Sequence, residues 1–284
     1  MWGSAVALIL MLTASVQAGL TAGAIVDLDA ANNPGAVQTQ WTNVGTLGGY
    51  YDYTPPIGGS TKPNLTADTV TYYTASSGAT WGTTPPGANN PAITGIKSFS
   101  IEMWLRKSGP ALNTEHQLMG LNSTDFSQYI QVFFRKSNGD SDANLDVDIK
   151  GKNSGTQHFT DLGGASGAVS SNTWTQLVLV LSDSAQTLGI YKDGALAGTV
   201  SVSQSFDTAT LMSELTLFKT HPDEQNSRIF NGDFSRFRLY DFALSSGQVG
   251  DNFSFGNTPV PEPTAGALAL VIGSASLARR KRRR

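Results

Sequence analysis

The chain has 284 residues, 39% hydrophobic and 14% charged, with 30 Gly, 12 Pro and no Cys, enough for one large or two small domains with a real core. Charged residues fall well below the roughly 25% usual for soluble domains, which with so much Gly and Pro argues against a helical bundle or coiled coil and for a turn-rich β protein. The lack of cysteine excludes disulfide scaffolds, thiol nucleophiles and Cys-based zinc sites, and the formal charge of −3 (19 Lys+Arg against 22 Asp+Glu) conceals an uneven distribution.

Residues 1–18 carry no charge, hold an apolar run from Ala5 to Leu12 and end in Val16-Gln17-Ala18, the small-residue pattern that signal peptidases accept. Cleavage after Ala18 makes Gly19 the first mature residue. Met1 to Ser4 include no Lys or Arg, so only the terminal amine orients insertion. The competing reading is a buried N-terminal strand.

Through residues 19–253, short apolar segments of period two are broken about every 8 to 12 residues by Gly, Asn, Asp, Ser and Pro, as in successive antiparallel strands. Thr54-Pro55-Pro56-Ile57-Gly58-Gly59 and Thr84-Pro85-Pro86-Gly87 are loops. Phe99, Ile101, Met103 and Leu105 alternate with Ser100, Glu102, Trp104 and Arg106, the pattern of a strand with one buried face. Leu177 to Leu181 is continuously apolar after Trp174, which predicts a central strand covered on both sides. Asn138-Gly139 and Asp193-Gly194 are hairpin turns. Phe234, Phe237 and Leu239 belong to a late strand ending at Tyr240, and Ser245 with Gln248 forms a capping box for one short helix. No composition shift divides the body, so a single domain of residues 19–253 is expected, followed by a linker at 254–263.

The polar side chains give few chemical signals. His116, His158 and His221 lie far apart with no H-E-x-x-H spacing, and loop or surface roles are expected for them. No G-x-S-x-G and no phosphate loop occurs. Glu102, Glu115, Glu214 and Glu224 have no second acid at strand spacing, against the paired carboxylates that glycoside hydrolysis needs. No catalytic residue is assigned, and the chain reads as a non-enzyme. Asp140 to Asp148 resembles a calcium loop, but Leu145 stands at the sixth position and Gly151 at the twelfth. Asp146, Asp148 and Lys150 instead read as the solvated face of a strand whose other face is Leu145, Val147 and Ile149. Trp81, Tyr51 and Tyr53 sit in polar, Gly-rich surroundings and are the candidates for stacking on a sugar ring.

The C-terminus carries Val260-Pro261-Glu262-Pro263, then an uncharged segment from Thr264 to Ala278, then Arg279, Arg280, Lys281, Arg282, Arg283 and Arg284. Fifteen residues rise about 22 Å as a helix against a hydrocarbon core of about 30 Å, a marginal span. The six cations would hold this end on the cytoplasmic side, leaving the body outside. Without the six, residues 19–263 hold 13 Lys+Arg against 22 Asp+Glu, a net of −9. An acidic body disfavours nucleic acid and anionic membrane surfaces as partners.

These last residues resemble the PEP-CTERM sorting signal of bacterial envelope and exported proteins, which covers 264–284 together with the motif before it. The resemblance implies signal peptidase and an exosortase as processing partners and a transient membrane anchor. Ser98 to Trp104, Trp174 with Leu177 to Leu181, Ile190-Tyr191-Lys192-Asp193-Gly194, and Phe230 to Tyr240 with Ala243-Leu244-Ser245 resemble the laminin G-like, concanavalin A-like jelly roll. Val26-Asp27-Leu28-Asp29-Ala30 with Trp41 fits its opening strand and loop. The implied fold is an all-β sandwich of two antiparallel sheets of about six or seven strands each, with terminal strands adjacent, and with signal and anchor helices at the chain ends. Trp104 and Trp174 are implied to be packed. Arg236 replaces an acid common in the family, so no local ion pair carries over. The resemblance also allows one calcium in the rim loops, for which Asp140 and Asp142 are the candidate ligands. The expected role is adhesion to or contact with extracellular polysaccharide in the cell envelope or matrix. The alternatives are a structural matrix component without a discrete ligand, and a glycoside hydrolase or lyase.

Overall fold

A computed structural model describes residues 21–30, 41–48, 64–67, 71–75, 97–108, 116–123, 127–135, 144–151, 155–164, 168–204, 214–217 and 230–256. In chain order these form β1 (Ala24–Asp29), β2 (Asn64–Ala67), β3 (Thr71–Ala75), β4 (Phe99–Lys107), β5 (His116–Asn122), β6 (Tyr129–Arg135) and β7 (Asn144–Lys150). There follow β8 (Thr156–Leu162), β9 (Trp174–Ser182), β10 (Thr187–Lys192), β11 (Ala195–Ser201), β12 (Glu214–Leu217), β13 (Gly232–Tyr240) and the helix α1 (Ser246–Phe255). The signal segment, the Pro-Glu-Pro motif, the basic cluster and the Asn138-Gly139 turn lie outside the described residues. No described helix is long and apolar enough to cross a membrane.

Every strand pair is antiparallel. One sheet runs β11-β10-β9-β4-β13-β3-β2, with β1 also on β13, and the other runs β12-β5-β6-β7-β8. Among the described residues the split is eight strands and five, not the near-equal sheets expected. The long β13 explains part of the excess, because β3 pairs its first residues (Gly232 to Phe234) and β1 its last (Arg236 to Tyr240) along one edge. First and last strands are thereby neighbours.

The facing sides of the two sheets enclose the core. Phe99, Ile101, Met103 and Leu105 of β4, and Leu177, Leu179 and Leu181 of β9, meet Ile130, Val132 and Phe134 of β6 and Leu145, Val147 and Ile149 of β7. Between β10 and β11, Lys192 opposite Ala195 leaves a two-residue loop in which Asp193 (φ 49) and Gly194 (φ 79) both take positive φ. This is the mirror-image turn that matches strand twist, as the dipeptide predicts.

The alternation in β4 predicts one buried face, yet both are covered. Its polar side lies beneath α1, which starts at Ser245 with the expected capping box and ends at Gly256 (φ 76). Glu102 is completely buried there. Its Oε1 accepts hydrogen bonds from Trp104 Nε1 (3.1 Å) and Gln176 Nε2 (2.9 Å), and its Oε2 from Asn252 Nδ2 (2.8 Å) and the Tyr240 hydroxyl (3.3 Å). One carboxylate thus joins β4, β9, β13 and α1. Around it Val178, Val180, Tyr240, Leu244 and Val249 form a second apolar cluster, and Phe253 of α1 stacks on Trp104 at 5.8 Å.

Two arginines complete this layer. Arg238 Nη1 lies 3.5 Å from Glu102 and its Nε 3.1 Å from Asp27. Arg236 pairs with Asp29 and donates to the Gly256 carbonyl (3.1 Å). A departure from the family pattern therefore carries its own buried ion pair, with an acid 207 positions away in sequence. Burial pushes the Asp27 carboxyl up, against the pull of Arg238 and Arg236. Burial also works against the Arg238 charge, but Glu102 and Asp27 hold its pKa above the ordinary value. Burial and Glu102 raise the Tyr240 phenol. Three carboxylates thus face two guanidiniums in this layer, and the Asp27 carboxyl is held above its ordinary range by burial.

Removing the central acceptor strands the donors around it, so Glu102→Ala should cost about 3 to 5 kcal/mol, read from the urea midpoint. A loss below about 1 kcal/mol would contradict the bonding described. Asp27 has the opposite pH signature to most acids. A raised folded-state pKa contributes stability that is fully present below the ordinary value of 3.8 and is lost as pH rises through the raised value. The stability of the native chain relative to Asp27→Asn should therefore fall as pH rises above the ordinary value of 3.8. A pH-independent difference in urea midpoint would show that the carboxyl is not perturbed.

Candidate functional site

The sandwich has two outward faces, and α1 closes one of them. The other belongs to the five-stranded sheet. Because Leu145, Val147 and Ile149 point inward, period two sends Asn144, Asp146, Asp148 and Lys150 outward. Strand register then sets side chains from different strands side by side. Gly120, Gln131, Asp148 and His158 form one rung across β5, β6, β7 and β8, and Asn122, Tyr129, Lys150 and Thr156 form the next. Gln117, Phe133 and Asp146 make a third.

Exposure varies across this face. Asn122, Thr216, Gln117, Phe133 and Asp146 are buried, whereas Tyr129, Gln131, Asp148, Lys150 and Thr156 are half-buried. The His158 side chain is 63% exposed and Asp148 17%, so the open ground runs along β6, β7 and β8. Asp148 Oδ1 lies 2.8 Å from His158 Nδ1. This contact orients the ring and leaves Nε2 as its second polar atom on the exposed side chain. Tyr129 and Thr156 share a hydroxyl hydrogen bond of 2.8 Å. The Lys150 ammonium sits 5.8 Å from the Tyr129 ring centroid, within cation–π range. Gln131 contributes an amide that both donates and accepts. The result is a shallow surface with polar groups of both kinds and one aromatic ring, suited to a ligand rich in hydroxyls.

Two corrections to the sequence reading follow. The face of β7 is not uniformly solvated, because Asp146 is enclosed. Its Oδ1 accepts from the Asp161 amide (2.8 Å), where Asp161 adopts φ 56 beside the register shift between β7 and β8. His158 lies on a strand with its side chain exposed, within the surface role expected, whereas His116 is a buried strand residue. Asp146 and Asp148 share a face at i, i+2, as the alternation predicts. Each is engaged, the first with a backbone amide and the second with an imidazole.

Trp104 is buried as expected, and Trp174 is half-buried beneath the Arg106 guanidinium, 5.0 Å from the ring centroid. The stacking candidates Trp81, Tyr51 and Tyr53 and the calcium candidates Asp140 and Asp142 lie outside the described residues, as does His221. Among the described residues, no three His, Asp or Glu side chains gather to hold a metal. The cluster of Tyr129, Gln131, Lys150, Thr156 and His158 was not picked out from sequence. Its only local signal is polar alternation in β6 and β7, and the pairing that assembles it is a property of the sheet.

Residues 73–250 match the family Laminin_G_3, described as the concanavalin A-like lectin/glucanases superfamily. No curated protein matches the chain by sequence. Among solved structures, the botulinum neurotoxin serotype D binding domain is similar at 13% identity and TM-score 0.53, covering 82% of this chain and 52% of that one. The binding domain of Paraclostridial Mosquitocidal Protein 1 is similar at 15% identity and TM-score 0.54, with 82% and 52% covered. The binding domain of botulinum neurotoxin DC, solved in complex with rat synaptotagmin II, gives 15% identity and TM-score 0.53, with 82% and 51% covered. The chain spans about half the length of each of these domains, and at such identities the likeness is one of fold. The all-β architecture of two antiparallel sheets and the family match over residues 73–250 together establish that the chain belongs to the concanavalin A-like lectin/glucanases superfamily.

Proposed function

We propose that this chain is an exported, non-catalytic binding protein that contacts extracellular polysaccharide through the open face of its five-stranded sheet. The observation that carries the reading is the pair of rungs Gln131–Asp148–His158 and Tyr129–Lys150–Thr156, which set donors, acceptors and an aromatic ring on one accessible surface. Support also comes from the similar solved structures, which are binding domains, and from the commitment of both Asp146 and Asp148 to existing partners. Delivery rests on the sequence. Residues 1–18 serve as the signal peptide, and Val260 to Pro263 with the apolar and basic segments after it serve as a sorting tail handled by an exosortase. The acidic charge of residues 19–263 suits a neutral polymer better than an anionic one.

Protein recovered from producing cells tests both parts. Intact mass should fit a chain beginning at Gly19 and ending near Pro263; a chain ending in Arg284 would contradict sorting. On a glycan array, with and without calcium, the protein should bind at least one neutral polysaccharide. His158→Ala and Gln131→Ala should each weaken that binding about tenfold, the value of one hydrogen bond of roughly 1.4 kcal/mol, while Ser254→Ala on α1 should not. Binding to no sugar would leave a structural matrix component as the reading. Release of reducing sugar would make it a glycan-cleaving enzyme.

A further inference from the structure

We infer that a second copy of this chain pairs with it along β11, strand against antiparallel strand, so that the two eight-stranded sheets join into one. β11 is an outer strand of the large sheet, seven residues long and without charge or proline (Ala195-Leu196-Ala197-Gly198-Thr199-Val200-Ser201). Edges that resist such pairing are short, charged or covered, and the other outer strands show those devices. β2 and β12 have four residues each, and β12 holds Glu214. β8 holds His158 and Asp161, the latter at φ 56. β1 is covered by residues 43–47, whose amides at Val44, Thr46 and Leu47 donate to its carbonyls. β11 has one irregularity, the register shift opposite Ile190 and Tyr191, which leaves Gly198 to Ser201 in regular pairing with β10.

The Val202 amide donates to the Gln186 carbonyl (2.8 Å), toward β10. Main-chain groups alternate sides along a strand, so Val200 and Gly198 also turn toward β10, whereas Thr199 and Ser201 turn away. Both of these residues are exposed, and among the described residues no hydrogen bond takes up their outward N–H and C=O groups. A twofold axis through Thr199 sets it opposite its own copy, Gly198 opposite Val200, and Ala197 opposite Ser201. Thr199 and Ser201 then bond across the joint, two threonines pair on the outer face, and the small Gly198 accommodates Val200 on the inner one. No like charges meet. Leu196, at 57% the most exposed large apolar side chain among the described residues, comes alongside the Ser201 end of the other copy. A strand of another protein could add to the same edge, but an uncharged β11 offers little to select it by, whereas self-pairing uses one surface twice.

The axis runs perpendicular to the joined sheet, so the two five-stranded sheets point their open faces the same way. On the reading proposed above, one dimer then offers a polymer two contact surfaces at once. Sedimentation equilibrium of protein recovered from producing cells, from about 1 to 200 µM, covers the range in which a small interface associates. The mass should double as concentration rises; a monomer throughout would overturn the proposal. Thr199→Lys and Thr199→Glu each place like charges opposite one another across the axis and should weaken association about tenfold. An equimolar mixture of the two should regain it as a heterodimer, a rescue that two misfolded chains could not give. Thr199→Pro provides a second arm: it removes only an N–H that faces away from β10, and should leave a folded monomer. Dimers of native strength in all three variants would overturn the pairing along β11. Sugar binding is read separately, so a dimer that binds no glycan refutes the binding reading and leaves the pairing standing.

Discussion

The Glu102 carboxylate is the point on which the layers of this protein converge. It has no contact with water, and four hydrogen-bond donors and the Arg238 guanidinium surround it. Burying an ion without such partners would cost several kcal/mol. Those partners sit on β4, β9, β13 and α1, so the carboxylate specifies where the helix lies on the sheet as well as that it lies there. An apolar residue at 102 could fill the space, but it would not dictate a unique position for Asn252, nor through Asn252 for Thr21. Packing of Val249 among Val178 and Val180 and of Phe253 on Trp104 then adds area to a placement already defined by directional bonds.

This arrangement divides the sandwich into unlike sides. The large sheet spends its polar residues internally: Glu102, Asp27, Asp29, Arg236 and Arg238 satisfy one another beneath the helix, at the cost of an acid whose pKa burial raises. The five-stranded sheet has no helix over it among the described residues, and its outward polar groups along β6 to β8 remain accessible. The same residue types serve structure on one side and are available for contact on the other, and burial is what separates the two roles. The superfamily includes both lectins and glucanases, so fold alone does not choose between binding and cleavage. Asp146 is engaged with the Asp161 amide and Asp148 with His158, and the choice of binding belongs to the proposed reading.

Much of the architecture was legible in the residues, and what was not has a common cause. The Asp193-Gly194 turn, the Ser245–Gln248 capping box and the doubly buried β9 are local, since each follows from a few adjacent side chains. The second buried face of β4 was not local. Ser100, Glu102 and Arg106 look solvent-facing in sequence, and only the return of α1, some 150 positions later, encloses Glu102. Arg236 is similar, being an anomaly until Asp29 is brought beside it across β1 and β13. The candidate contact surface depended on register: a one-residue slip of β8 would take His158 off the face it shares with Asp148. The enclosure of Asp146 was not legible either, because alternation reads the same whether a face is wet or enclosed.

The central claim is that ligand meets the five-stranded sheet and not the helix-covered one. Amide chemical-shift mapping during titration with a bound oligosaccharide tests it most directly. Shifts should concentrate at Tyr129 to Phe133, Asp146 to Lys150 and Thr156 to Thr160, with α1 and β9 silent. Shifts centred on Val249 to Phe253 and Gln176 to Val180, with β6 to β8 unchanged, would contradict the account.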